Sequence, residues 1–304
     1  MASSEDLKIP SSRKPSLRIA VSVFAPEHDS PHPRPVIIMG HGIGAIKAAG
    51  LAPFASAFAS QGYYATTFDY LHFGESDGQP RNLLSISSEL QDFRDVIAWA
   101  RQQPDQFDSQ RIVVWGSSFG GMHTTALIAS DHGLAGAIAQ CPCVDSHAAS
   151  NMQPLSKSLR ITGIALSDWA GSFFGKEPVY INLTGDGLPG SSIARMEGSD
   201  VIEGWARISP SDVDFPNIIT ARSLLQFPVN CPVLDVKNSR KPYLVVLPTW
   251  DNPAPLEAAE AAVKNAPFGE GLRVPGGHFD LDAGGISFDA NISGQLAFFQ
   301  RILV

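Results

Sequence analysis

Cysteine is scarce in this chain: Cys141, Cys143 and Cys231 are the only three in 304 residues. An odd count argues against a disulfide framework and for free thiols in a reducing compartment, so a cytoplasmic location is expected. The opening "MASSEDLKIPSSRKPS" holds no apolar run of the kind a signal peptide needs, and residues 1–15 are expected to be flexible. "CPC" has one intervening residue and no Cys/His pair elsewhere completes a zinc set, so neither a metal nor another cofactor is expected. Eighteen apolar residues never run together, which leaves no candidate membrane span. A basic surplus is missing too: 22 Lys and Arg stand against 30 Asp and Glu, a net charge of -8. Nucleic acid and anionic membrane, which need a basic face, are poor partners for such a chain. Internal repeats are absent, and nothing in the pattern sets an oligomeric state.

Apolar material is plentiful. Hydrophobic residues make up 44% and charged residues 17%, enough for a large core. "SLRIAVSVFAPE" reads as strand, and "VIIMGHGIG" as a buried strand running into glycines. "LAPFASAFASQG" has helical spacing, "YYATTFDY" is strand-like, and "SISSELQDFRDVIAWARQQ" is an amphipathic helix with Ser85 and Ser87 as candidate caps. "RIVVW", the helix "MHTTALIAS" and the strand "LAGAIAQCPC" continue the rhythm. This alternation predicts an α/β fold with a mostly parallel central sheet and helices on both faces. From 144 to 240 the rhythm breaks into helical stretches and polar turns, a mainly helical cap inserted after the strand ending near residue 143. "PYLVVLPTWD", "PLEAAEAAVKNAP", "EGLRVPGGH" and "ISGQLAFFQRIL" then restore it. The core is thus expected over 16–143 and 241–304.

Two stretches match Gly-x-Ser-x-Gly. A serine nucleophile on this motif sits on a strained turn between a strand and a helix. Ser118, in "RIVVWGSSFGGMH", has both flanks, with Gly116 and Gly120 two residues to either side. Ser117 falls at the variable position and should point away. Ser76, in "GESDG", is followed by Gly78 and Pro80, which cannot start a helix at once; it reads as a polar surface turn.

Serine is a weak nucleophile at neutral pH and needs a base, usually histidine, oriented by a carboxylate. Of eight histidines, His278 follows a strand in "LRVPGGHFD". His123 lies on the nucleophile's own helix and suits packing. His28, His32, His72, His132 and His147 lack a strand-end context as good. For the acid, Asp251 follows the strand "LVVLPTW", although "WDNP" also resembles a helix cap; Asp145, just beyond "AIAQCPC", is the competing choice. Stabilising an oxyanion takes two backbone N–H groups. One is expected from Phe119, the other from Ile43 in "GHGIG", with Gly42 as the fallback.

"GHGIG", "FDYLHFGESDG", "GSSFGG", "TWDNPAP" and "GGHFD" together resemble the α/β-hydrolase superfamily over nearly the whole chain. Residues 37–81 resemble its dienelactone-hydrolase-like and X-prolyl-peptidase-like branch, and the whole is most similar to the fungal polyketide transferase and thiohydrolase family. That resemblance implies release of a polyketide-type acyl chain from a carrier thioester through an acyl-enzyme, by hydrolysis or by transfer to an alcohol. It makes Ser118 the nucleophile, His278 the general base and then acid, and Asp251 its partner. An acyl carrier protein of a polyketide synthase would then present the small-molecule ester or thioester. "GGHFDLDAGG" departs from the family in its glycine pair, where relatives often continue with Pro and an aromatic residue. Trp169, Phe173 and Trp205 in the cap, and His41 beside the oxyanion loop, are candidate substrate contacts; the cap aromatics are equally readable as the cap's own core. Two other readings stand beside this one: a general carboxylesterase or lactone hydrolase, and a catalytically silent scaffold. The complete residue set argues against silence.

Overall fold

The computed structural model describes residues 4–27, 30 and 32–303; His28 lies outside them, as do residues 1–3 of the segment expected to be flexible. Eight strands form one sheet in the order β1 (Ser4–Pro10), β2 (Arg18–Phe24), β4 (Tyr64–Phe68), β3 (Arg34–Gly40), β5 (Phe107–Ser117), β6 (Gly136–Gln140), β10 (Tyr243–Pro248) and β11 (Gly269–Val274). From β4 to β11 every neighbouring pair is parallel, while β1 and β2 pair antiparallel at one edge. Residues 4–10, within the segment expected to be flexible, form the edge strand β1. Their alternation is weak, but all seven pair with β2, and Ile9 reaches the core.

The parallel strands are apolar on both faces because helices cover both faces. On one side α1 (Leu51–Ser60) and α8 (Phe288–Ile302) bury Phe54, Phe58, Phe298 and Phe299 around Trp115. On the other, α2 (Ile86–Arg101), α3 (Phe119–Ser130) and α7 (Leu256–Asn265) pack on the remaining strand faces. In α2, Phe93, Val96, Ile97 and Ala100 recur at helical spacing and are buried. Ser85 is its N-cap residue, but the side chain makes no cap bond.

The segment expected to be a helical cap holds α4 (Ser146–Asn151), α5 (Leu155–Ser172) and α6 (Ser199–Ile208). It also holds a small sheet, β8 (Ala194–Glu197), β7 (Tyr180–Gly185) and β9 (Ile218–Thr220), that the sequence reading missed. These strands are three to six residues long, too short for a periodic signal to stand out. Among the described residues, no helix is long and apolar enough to cross a membrane.

Candidate active site

β5 runs straight into α3, and Ser118 stands alone at the turn between them with φ 55° and ψ -111°. That left-handed backbone is unfavourable for a residue with a side chain and persists only where the surroundings hold it. The surroundings are the glycines. A Cβ on Gly116 would lie 2.2 Å from the carbonyl oxygen of Gly120, and one on Gly120 would lie 2.4 Å from that of Gly40. The turn closes only because those atoms are missing. Ser118 N–H donates to Gln140 O at 2.8 Å, which pins the elbow to β6.

Two loops leave neighbouring strands and are laced together. Thr249 N–H donates to Gly276 O at 3.1 Å, and Gly276 N–H to Thr249 Oγ1 at 3.0 Å. Gly277 leaves room for the Trp250 ring, which a Cβ would meet at 2.4 Å. This lacing brings Asp251 and His278 side by side: His278 Nδ1 lies 3.0 and 2.9 Å from the two Asp251 carboxylate oxygens, and both side chains are buried. Asp251 also accepts Ala254 N–H at 2.8 Å, so its resemblance to a turn cap is real as well.

Burial alone would depress the His278 imidazole. The Asp251 carboxylate, with the adjoining Cys141 thiol, outweighs burial and holds its pKa well above the ordinary histidine value. Cys141 Sγ lies 3.8 Å from His278 Nε2, on the ring edge that would serve a nucleophile. Burial pushes that thiol's own pKa upward, so it stays protonated at neutral pH. Among the described residues the Ser118 hydroxyl has no hydrogen-bond partner, and it borders one cavity with His278. Cys141, Asp251 and His278 are the described residues that place metal-ligating atoms close together, within 4.8 Å. His278 Nδ1 and Asp251 are spent on each other there.

Ser118 lies between two hollows. The larger, of about 480 Å³, is lined mostly by apolar side chains, among them Leu51, Met196, Trp205, Ile208 and Phe279. Its polar lining is Ser117, Ser118, His278 and Asp282. The smaller, of about 290 Å³, shares Ile43, Ser118 and Met196 and extends to Phe119, Cys143, Arg195, Phe227 and Pro253. Gly42 packs on Ser118, its missing Cβ 3.9 Å from Ser118 Oγ. Among the described residues, the backbone N–H groups of Gly42, Ile43 and Phe119 donate to no other group.

The candidate residues divide accordingly. Ser118, Asp251, His278, Gly42, Ile43, Phe119 and Trp205 come together. Asp145 does not: it caps α4 through Ala148 N–H at 2.8 Å and accepts the Cys231 thiol at 3.3 Å. His41 is buried behind the loop, its Nδ1 on Gly42 O at 3.0 Å and its ring edge-on to Tyr70. Burial lowers its pKa to about 4, leaving it neutral, and it lines neither hollow. Trp169 and Phe173 face outward on α5, 50% and 69% exposed, and pack on each other instead of on the cavity. The sequence offered them as cap aromatics that could line a pocket or pack the cap, and did not say which way they turn. Ser76 is not a surface turn. It is buried, donates to Asp69 O and accepts Ala20 N–H, both at 2.7 Å, tying its loop to β2.

Three site residues had no motif to announce them. Asp282 lines the larger hollow, where burial pushes its carboxyl up to about 7. Gln140 donates to Asp282 at 3.2 Å and to Ser117 at 3.3 Å. Arg195 reaches the smaller hollow from β8, in the sheet that the sequence did not reveal.

Comparison with known proteins agrees with this architecture. The profile of the X-Pro dipeptidyl-peptidase (S15) family matches residues 16–156. The quorum-quenching protein AidA of Acinetobacter baumannii is 36% identical over 270 residues, 88% of this chain and 87% of AidA. The polyketide transferase grgF of a Penicillium species is 32% identical over 148 residues, 48% of each chain. In three dimensions the α/β hydrolase GrgF superposes with a TM-score of 0.81 at 24% identity, covering 99% of both chains. DcsB, solved with a substrate analogue, gives 0.84 at 23% identity over the same shares. The chain belongs to the α/β-hydrolase superfamily, in the group that includes AidA and the fungal polyketide transferases.

Proposed function

We propose that this protein is a serine-nucleophile acyl-transfer enzyme. Ser118 Oγ attacks the carbonyl carbon of an ester or thioester while His278 Nε2 takes its proton. Asp251 holds the Nδ1–H and stabilises the imidazolium as it forms. The N–H groups of Phe119 and Ile43, with Gly42 in reserve, receive the charge on the carbonyl oxygen. His278 then returns the proton to the departing alcohol or thiol, leaving the acyl group on Ser118. Water or an alcohol, deprotonated by the same imidazole, attacks that ester and frees the serine. The observation that carries this reading is His278, paired with Asp251, bordering the same cavity as a serine held at φ 55°.

The apolar lining of the larger hollow suits a hydrocarbon acyl chain. With relatives named polyketide transferase and thiohydrolase, the leading substrate class is a polyketide-type acyl thioester, presented by a carrier protein in a cytoplasmic, secondary-metabolic setting. A second reading is hydrolysis of a small lactone or ester. It is favoured by AidA, the quorum-quenching relative that matches over most of the chain. A panel of acyl thioesters, matched oxygen esters and acyl lactones, with and without an added alcohol, separates the two. Preference for long acyl thioesters supports chain release, and an ester product makes it a transferase. Preference for lactones supports the second reading. Failure on every member of the panel overturns both.

A further inference from the structure

The smaller hollow contains a charge with no partner. Arg195 is only 8% exposed, yet among the described residues its guanidinium makes neither an ion pair nor a side-chain hydrogen bond. It lies over the Phe227 ring, with Cζ 5.4 Å from the ring centre. Phe227 is stacked in turn on Phe119, the residue that follows the nucleophile. The neighbouring Cys143 offers no counter-charge, because burial pushes its thiol up to about 11 and keeps it neutral. Burial also weakens the guanidinium's hold on its proton, but from so high a starting point that it stays charged at neutral pH.

A buried cation without a partner is costly, and buried charges are ordinarily paired. An arginine kept for the fold would be expected to spend its five N–H donors on carbonyls or carboxylates. Among the described residues Arg195 spends none, and it lines a hollow that Ser118, Phe119 and Ile43 also line. The missing partner therefore has room to arrive with the substrate, next to the reacting carbonyl.

We propose that Arg195 is a substrate-recognition residue: it binds an acceptor oxygen that the substrate carries in addition to the scissile carbonyl. A carboxylate and the second carbonyl of a 3-oxoacyl group share this chemistry, and each could take two guanidinium N–H donors. The Phe227 ring holds the guanidinium plane in place meanwhile. This inference rests on the acyl-transfer reading for its substrate, but binding can be measured without turnover.

The test uses primary amides, which resemble the acyl group and resist cleavage. Hexanamide, 3-oxohexanamide and adipic acid monoamide are titrated calorimetrically into the full-length protein and into Arg195→Met and Arg195→Lys. Binding of one or both oxygen-bearing amides should be about tenfold or more tighter than that of hexanamide. The 3-oxo and carboxylate arms show which source of oxygen is preferred. Arg195→Met should erase the preference, and Arg195→Lys should keep a reduced part of it. Thermal unfolding gives an independent readout: Arg195→Met should not lower the midpoint, since it removes an uncompensated charge and keeps an apolar stem on Phe227. Equal binding of all three amides by the native protein, or a preference that survives Arg195→Met, overturns the proposal. So does marked destabilisation by both variants, which would make Arg195 structural. A protein that shows the Arg195-dependent preference but cleaves no thioester, ester or lactone would retain this subsite and lose the acyl-transfer reading.

Discussion

At the scale of single residues, the serine and histidine were legible because each stands at a strand end with a specific local pattern. The acid was harder. Asp251 and Asp145 both follow strands and both cap turns, so sequence alone left two choices. The structure separates them by what each carboxylate faces: His278 in one case, Ala148 N–H and the Cys231 thiol in the other. Asp251→Asn is accordingly expected to lower kcat by about 10⁴-fold, since it leaves the imidazole in the wrong tautomer. Asp145→Asn should leave turnover near the native level and alter stability by no more than about 1 kcal/mol, the scale of a helix cap. Paired steady-state assays and urea melts check both; a collapse of turnover in Asp145→Asn would reverse the assignment. The raised pKa of His278 gives a signed pH dependence. Only the neutral imidazole can accept the serine proton, so kcat/KM should fall as pH drops through a midpoint above the ordinary histidine value of about 6.5. An acid limb well below pH 6 in the native protein would contradict the assignment.

At the scale of elements, the alternation of strands and helices was readable because parallel strands buried on both faces are short, continuous apolar runs. The cap was not. Its strands are brief, and the outward turn of α5 depends on packing that no local pattern records. The glycines of the elbow and of α5 make a contrasting pair. Gly120→Ala would drive a Cβ to 2.4 Å from Gly40 O, a backbone atom with nowhere to go. It is expected to cost roughly 3 kcal/mol or more, in the range of serious overpacking, and to take activity with it. Gly163, inside α5, would meet nothing within 4 Å. Gly163→Ala should therefore stabilise the protein by about 0.5–1 kcal/mol through helix propensity alone. Chemical denaturation of the two variants tests whether the elbow is held by close backbone approach.

At the scale of the whole molecule, the site is assembled from both parts of the chain. The α/β core contributes Ser118, Asp251, His278 and the backbone N–H donors; the cap contributes Met196, Trp205 and Arg195. The candidate core residues were therefore legible in the sequence, where each core motif has a fixed relation to a strand end. The pocket was less so, because Trp205 turns inward while Trp169 and Phe173 turn to solvent. Behind the site, Gln140, Asn291, Gln295 and Trp115 form a buried hydrogen-bonded chain that runs from α8 to Asp282 and Ser117. Those residues are scattered over 180 positions, and only the closed sheet brings them together.

The central claim is that Ser118 carries the acyl group. The most direct measurement is intact mass followed by peptide mapping after brief exposure to an acyl thioester, for the native protein and for Ser118→Ala. The expected result is one acyl adduct on the peptide containing Ser118, absent from a Ser118→Ala protein that melts within a few degrees of the native one. An adduct on the Cys141 peptide instead, or undiminished turnover without Ser118, would contradict it.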